Sequence, residues 1–86
     1  MGDGTSELTR LASENAGVFV CARLDIDGDD AVRLKRLGIC EGRLLELVTR
    51  GDPMVVRVSG TRIGLSRRLA ADILVRQHPQ SSTDAG

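Results

Sequence analysis

Alternation of apolar and polar residues between Arg43 and Leu65 limits the folds available to this chain more than any other feature of its sequence. In the segment RLLELVTRGDPMVVRVSGTRIGL, apolar side chains recur at every second position: Leu45, Leu47, Met54, Val56, Val58, Ile63 and Leu65. A period of two places such side chains on one face of a strand. The turn-forming clusters Gly51-Asp52-Pro53 and Ser59-Gly60 divide the segment into three. It is therefore predicted to form a three-stranded antiparallel meander with one apolar face.

The meander needs further elements to cover its apolar face, because a small sheet with that face in water is not stable alone. Residues Val18 to Leu24 are β-branched and apolar and predict another strand. Asp30 to Leu37 predicts a short helix, with acids at its start, bases towards its end and Gly38 as a left-handed stop. Leu74-Val75 predicts a closing strand. For one domain of 86 residues, these elements predict a small closed barrel, mainly β with short helices.

Two sets of residues are candidates for the buried face of the Val18 to Leu24 strand. The expected inward set is Val18, Val20, Ala22 and Leu24, while Phe19 and Cys21 form the competing set and a bulge would mix the two. In the helix, a spacing of three predicts a buried stripe of Ala31, Leu34 and Leu37.

The ends of the chain are polar and predict disordered tails over residues 1–6 and 77–86, around a folded domain of residues 7–76. Glu7 to Ala12 predicts one helical turn that packs Leu8 and Leu11 against the end of the barrel. Ser66 is expected to cap a second short helix, from Arg67 to Asp72.

Charge and aromatic content exclude several classes of function. Twelve basic and twelve acidic residues cancel, so no excess of positive charge favours nucleic acid or an anionic membrane as a partner. Phe19 is the only aromatic residue, and base stacking and proline-rich peptide grooves depend on aromatic rings. No apolar run approaches the ~20 residues that span a bilayer. We therefore expect a cytosolic protein that neither binds nucleic acid nor inserts into a membrane.

Acidic side chains cluster immediately before the predicted helix, between Asp25 and Asp30. The cluster begins like a calcium loop, but Asp30 and Arg36 replace the glycine and the bidentate acid that such a loop requires. An acidic turn whose last aspartate caps the helix is the simpler interpretation, and weak metal binding at the surface is the alternative. The candidate metal ligands are Asp25, Asp27, Asp29, Cys21 and Cys40, although the cysteines lack the paired spacing of a zinc site.

Groups able to carry out catalysis are too few to predict an enzyme. The single histidine, His78, lies in the predicted tail, and the sequence contains neither a nucleophile elbow nor a phosphate-binding glycine loop. No cofactor is predicted, and the protein is expected to act by contact with a partner. The candidate partner-binding residues are Leu69, expected to project outward, its neighbours Arg67 and Arg68, and Arg33 and Arg36 on the outer face of the helix.

The order and spacing of these motifs resemble the FeoA family, the small ferrous iron transport A proteins of bacteria. The likeness covers residues 11–76 and is carried by Leu34-Lys35-Arg36-Leu37-Gly38-Ile39, Gly42, Leu45 and Leu47, Gly51-Asp52-Pro53, Val56-Arg57-Val58-Ser59-Gly60, and Leu65-Ser66-Arg67 with Ala70 and Ile73. It implies a five-stranded Src-homology-3-like barrel with one helix between the first two strands. It also implies a cytosolic accessory protein that regulates ferrous iron uptake by contact with FeoB, a membrane permease with a GTP-hydrolysing domain.

This chain departs from the family pattern at three places. Cys40 and Glu41 stand where the family usually has a proline before the glycine, and Arg68 and Leu69 stand where it often has acids. The segment from Asp25 to Asp30 is longer and more acidic than is usual in the family. The alternative function is direct binding of Fe²⁺ or another divalent metal, as a carrier or sensor. An open edge of the barrel would also allow two copies to pair as a homo-oligomer.

Overall fold

Short antiparallel strands make up most of the fold. The computed structural model describes residues 8–78. Its strands are β1 (Thr9–Arg10), β2 (Gly17–Leu24), β3 (Leu44–Thr49), β4 (Met54–Val58), β5 (Thr61–Leu65) and β6 (Ile73–Gln77). A 3₁₀ turn (Leu11–Ser13) follows β1, helix α1 (Asp29–Arg36) lies between β2 and β3, and helix α2 (Arg67–Ala70) lies between β5 and β6. The predicted mainly β class with short helices is confirmed.

The six strands form one sheet in the order β1-β6-β2-β3-β4-β5, with antiparallel neighbours throughout. The sequence predicted five strands. The sixth, β1, is only two residues long, too short to show an alternating pattern, and it pairs Thr9 with Val75 and Arg10 with Leu74. The additional strand places α1 between the second and third strands. Side chains from β5 at one edge and from β6 near the other, including Leu65 and Val75, belong to one core cluster, so the sheet is rolled around a single core.

The predicted meander is confirmed in its face and its turns. All seven alternating aliphatic side chains from Leu45 to Leu65 are buried, with exposed fractions of 8% or less. Ser59 and Gly60 connect β4 to β5 with φ values of +51° and +83°. Two successive positive φ values in a two-residue loop define a type I′ turn, whose twist matches that of the strands it joins.

Strand β2 buries the opposite set of residues from the one expected. Phe19 and Cys21 are buried, at 4% and 1% exposure. Both faces of this strand are apolar, so hydrophobicity alone does not select one of them. A bulge in the pairing with β6 follows Cys21: Cys21 lies opposite Val75, but Arg23 already lies opposite Leu74. The extra residue changes the parity of the strand. Leu24 therefore packs against the core after the bulge, opposite Ile73, although Val18 and Val20 do not.

The C-terminus of α1 explains why the predicted burial of Leu37 is wrong. Leu37 is the C-cap residue that follows Arg36, and it is 41% exposed. Gly38, at φ +97°, donates to the carbonyl of Lys35 (3.0 Å), and Ile39 donates to that of Leu34 (2.9 Å). These two bonds define a Schellman motif, in which the residue after the glycine supplies the apolar contact. Ile39, which is fully buried, takes the place assigned to Leu37.

The remaining helix ends also differ from prediction. Helix α1 begins at Asp29 after Gly28, and its N-terminus has no side-chain cap, so Asp30 is a first-turn residue and not the cap. Residues 9 and 10 form a strand where a helical turn was predicted, which leaves Leu8 39% exposed while Leu11 is buried. Helix α2 ends at Ala70, before Asp72.

Strand pairing continues into the region assigned to the C-terminal tail. Gln77 is the last residue of β6, and the backbone N–H of His78 donates to the carbonyl of Val18 (3.2 Å). The predicted disordered stretches at residues 1–6 and 79–86 lie outside the described residues.

The core contains only apolar side chains. No polar or charged residue between Leu8 and His78 is buried. No helix in that part of the chain has the length and hydropathy needed to cross a membrane. All charged groups that the structure describes are therefore at least partly accessible from the surface.

Candidate partner-binding surface

Helix α2 is held in place by two capping hydrogen bonds. The Ser66 hydroxyl accepts from the backbone N–H of Leu69 (3.1 Å), as the sequence predicted, and the Asp52 carboxylate accepts from the N–H of Arg67 (3.2 Å). These acceptors satisfy donors that the first turn of a helix leaves unpaired. The side chain of Ala70 is fully buried in the core cluster, which attaches the turn to the barrel.

A cleft of about 440 Å³ lies between α2 and the acidic segment that follows β2. We call it the acidic cleft; it is lined by Asp25, Ile26, Asp27, Asp30, Ser66, Arg68, Leu69 and Asp72. A backbone hydrogen bond joins the two walls: the N–H of Asp25, in the acidic segment, donates to the carbonyl of Asp72 (2.8 Å), which follows α2. Two segments that the sequence analysis treated separately therefore meet at one surface.

The apolar part of the acidic cleft consists of Ile26 and Leu69, both half-buried. Leu69 was expected to project outward, and the structure gives it a less exposed position against the acidic segment. Ile26 was not among the predicted site residues, because its neighbours in DIDGDD give it no periodic pattern. A half-buried aliphatic pair with a charged rim is a suitable site for one apolar side chain of a partner.

The charge of the acidic cleft is negative. Four aspartates and one arginine line it. Arg10 partly offsets the charge, since its guanidinium lies 4.0 Å from the Asp72 carboxylate and donates to the carbonyl of Ala71 (2.6 Å). Arg67 and Arg68 precede Leu69 in the chain, so the sequence predicts basic surroundings for its side chain. In the fold, its surroundings across the cleft are acidic.

The other candidate partner-binding residues lie elsewhere. The guanidinium of Arg67 donates to the carbonyl of Ala12 (3.3 Å), so it connects α2 to the 3₁₀ turn. Arg33 and Arg36 are exposed on α1 and do not line the acidic cleft. Val32, 51% exposed on the same helix, is an apolar neighbour that the sequence analysis did not single out.

The candidate metal ligands are divided between two parts of the molecule. Asp25 and Asp27 line the acidic cleft and Asp29 does not, whereas Cys21 is in β2 and Cys40 precedes β3. Burial, with smaller contributions from electrostatic interaction with Cys40 and Glu41, raises the pKa of the Cys21 thiol to about 11, so the thiol is protonated at neutral pH. Across residues 8–78, no three His, Cys, Asp or Glu side chains are grouped so that they could hold a metal ion.

Comparison with known proteins gives the family. A model of the FeoA domain matches residues 8–77. Among solved structures, the iron(II) transport protein A of Clostridium thermocellum superposes with a TM-score of 0.78 at 24% identity, over 83% of this chain and 46% of that one. The FeoA protein of Chlorobium tepidum gives a TM-score of 0.78 at 22% identity, over 91% and 78%. IdeR of T. acidophilum gives a TM-score of 0.77 at 20% identity, over 91% of this chain and 37% of that one.

These structural similarities show a shared fold, which confirms the barrel that the resemblance implied. Searching curated proteins yields no match. The domain match extends from the residue before β1 to the last residue of β6 and therefore includes every strand and helix described above. The chain belongs to the FeoA family, and that membership implies a role in ferrous iron transport.

Proposed function

We propose that this protein is a cytosolic, non-enzymatic accessory of ferrous iron uptake that acts by binding the cytosolic part of a FeoB-type permease. The observation that carries the proposal is the acidic cleft, where Leu69 and Ile26 form an apolar centre within a rim of carboxylates. Interfaces of this kind combine an apolar anchor with charged groups that select the partner. The complementary surface is a basic segment that presents one aliphatic side chain.

Binding to a partner protein fits this molecule better than catalysis or metal binding by its own residues. Among the described residues, the one buried side chain with a nucleophilic atom is Cys21, whose pKa is raised to about 11 by burial, and no polar or charged residue is buried there to act as its base. The alternative, direct carriage of Fe²⁺, would require ligands that converge. Of the residues proposed for that role, Cys21 is buried, and within residues 8–78 no three His, Cys, Asp or Glu side chains are grouped to hold a metal ion. Iron is accordingly assigned as the cargo of the partner.

The proposal is tested by titrating isotope-labelled protein with the cytosolic GTP-hydrolysing domain of the permease and following backbone amide shifts. Binding should shift amides of residues 25–30 and 66–72, and Leu69→Glu should weaken binding on the order of tenfold. Leu44→Glu is the matched control, because Leu44 is a 47% exposed leucine outside the acidic cleft. Equal weakening by both variants, or shifts confined to other residues, would contradict the assignment of the surface.

Calorimetry with Fe²⁺ under anaerobic conditions separates the proposal from the alternative. The accessory function predicts no tight binding by the isolated protein. Stoichiometric binding that is lost in the Asp25→Asn/Asp27→Asn double variant would favour a carrier that uses the aspartates. Loss in Cys40→Ala would assign the iron to the cysteines instead.

A further inference from the structure

Strand β5 forms one edge of the sheet and pairs only with β4. The type I′ turn makes Val58 and Thr61 a hydrogen-bonded pair, and such pairs alternate along an antiparallel ladder. Ile63 and Leu65 therefore also direct their N–H and C=O groups towards β4. The N–H and C=O groups of Arg62 and Gly64 point away from the sheet. No other element among the described residues pairs with them.

The outer face beside this edge carries an uncompensated positive charge. Arg57 and Arg62 lie directly opposite each other, in a position where the ladder brings side chains close and like charges repel. Glu46, opposite Arg57 on β3, pairs with it at 3.4 Å. Arg62 is exposed and forms no ion pair or hydrogen bond with any side chain that the structure describes. The row therefore has one carboxylate for two guanidinium groups.

Gly64 lies two residues from Arg62 on the same face of β5. Its φ is not positive, so the backbone does not require glycine at this position. A Cβ built there would lie 3.9 Å from the Cβ and Cγ atoms of Pro53, and its cross-strand neighbour Val55 is half-buried. The absence of a side chain leaves a shallow apolar depression beside the charge. Edge glycines of this kind can be covered by a large side chain of a neighbouring strand.

We propose that the β5 edge binds an extended acidic segment of a partner protein as an added strand. Backbone hydrogen bonds to Arg62 and Gly64 would supply affinity, and two side chains on one face of the segment would supply selectivity. A carboxylate lies beside Arg62 and, two residues along, a large apolar side chain covers Gly64. The β5 edge is positively charged and the acidic cleft is negatively charged. The two surfaces would therefore bind different segments, and binding at the β5 edge does not require the proposed function.

A second copy of this chain is a poorer occupant of the same edge. Antiparallel pairing of two β5 strands through their Arg62 and Gly64 groups would place the two Arg62 side chains within one or two cross-strand positions of each other. Arg57 of each copy would add to the repulsion. Charge complementarity therefore favours an acidic segment.

The test uses a capped synthetic peptide, Ac-Ser-Thr-Glu-Thr-Phe-Thr-Ser-NH2, whose glutamate and phenylalanine share a face when extended. The readout is hydrogen exchange of individual backbone amides by NMR. In the free protein, the amides of Arg62 and Gly64 should exchange rapidly and those of Thr61 and Ile63 slowly. Saturating peptide should slow exchange at Arg62 and Gly64, because only a strand paired to this edge bonds both groups.

Variants of peptide and protein define the outcome. Replacing the glutamate by lysine, or moving it next to the phenylalanine, should lower affinity on the order of tenfold. Arg62→Glu should reverse the preference, so that the lysine peptide binds more tightly than the glutamate peptide. Gly64→Thr should lower the affinity of both peptides. Arg76→Glu is the control, an exposed arginine on β6. The proposal is overturned if Arg62 and Gly64 gain no protection, if Arg76→Glu acts like Arg62→Glu, or if protection depends on protein concentration alone, which would indicate self-pairing.

Discussion

Replacing Ser66 with alanine should lower the free energy of unfolding by about 1 kcal/mol, because Ser66 caps a helix too short to form without help. Helix α2 has four residues. A helix this short is not stable alone in water, because the cost of forming its first turn is not offset by further hydrogen bonds. The hydroxyl of Ser66 accepts from the N–H of Leu69 at 3.1 Å. Alanine removes that acceptor and leaves the N–H to water.

The expected magnitude follows from the surroundings of the bond. Loss of an N-terminal cap costs roughly 0.5–2 kcal/mol. The upper end applies where the freed donor is buried. The bond between the Leu69 N–H and the Ser66 hydroxyl is exposed, so water can replace part of it once the hydroxyl is removed. The second cap, from Asp52 to the N–H of Arg67, remains and limits fraying. For a domain of this size, about 1 kcal/mol corresponds to a decrease in Tm of roughly 4–8 °C.

Urea unfolding, with the slope and the midpoint fitted separately, measures the effect. Ser66→Asp restores an acceptor and should recover most of the loss, whereas Ser13→Ala, at an exposed serine with no observed hydrogen bond, should stay within about 0.5 kcal/mol of the wild type. A midpoint for Ser66→Ala equal to that of Ser13→Ala would refute the capping argument. So would failure of Ser66→Asp to recover any stability.

Three further perturbations act on stability in ways that urea unfolding can measure. Leu34→Ala, at a fully buried site, should cost about 3 kcal/mol, whereas Val32→Ala on the same helix, at 51% exposure, should cost under about 0.5 kcal/mol. Because burial raises the pKa of Cys21 from 9.0 to about 11, stability contributed by its thiol is present below pH 9 and is lost as pH rises towards 11, a slope that Cys21→Ala should remove. Gly38→Ala should cost about 2 kcal/mol, since φ is +97° and the new Cβ would lie 3.2 Å from a β4 side chain, while Gly64→Ala should be nearly neutral.

The sequence predicted elements correctly where local pattern and turn chemistry agreed. The meander was predicted because its aliphatic residues alternate and its turns contain glycine, proline and serine. In β2 both faces are apolar, so hydrophobicity could not choose between them, and the bulge after Cys21 reversed the pattern within one strand. The burial of Ile39 in place of Leu37 depends on the Schellman geometry, in which one residue beyond the glycine turns back to the helix.

The sequence predicted some residues of the acidic cleft, but not that they meet at one surface. Asp25, Asp27 and Leu69 were candidates for different roles, and the contact between their segments spans more than forty residues of sequence. Nothing in the local pattern indicated that Ile26 would face α2. Asp72 was assigned to a helix that ends two residues earlier, so its place on the rim was also missed. Long-range contacts of this kind depend on the way the sheet is rolled, which a single sequence does not specify.

The acidic cleft and the β5 edge should act as independent surfaces, because they differ in charge and share no residue. Leu69→Glu is therefore expected to leave binding of the acidic peptide unchanged, and Arg62→Glu to leave binding of the permease domain unchanged. Where two substituted residues share no contacts, the effects of combined substitutions add within about 0.5 kcal/mol. The double variant should thus show both defects at their single-variant sizes, measured by titration against each ligand. A larger interaction energy would mean that one partner covers both surfaces, and α2, which follows β5 directly in the chain, would then be the element that couples them.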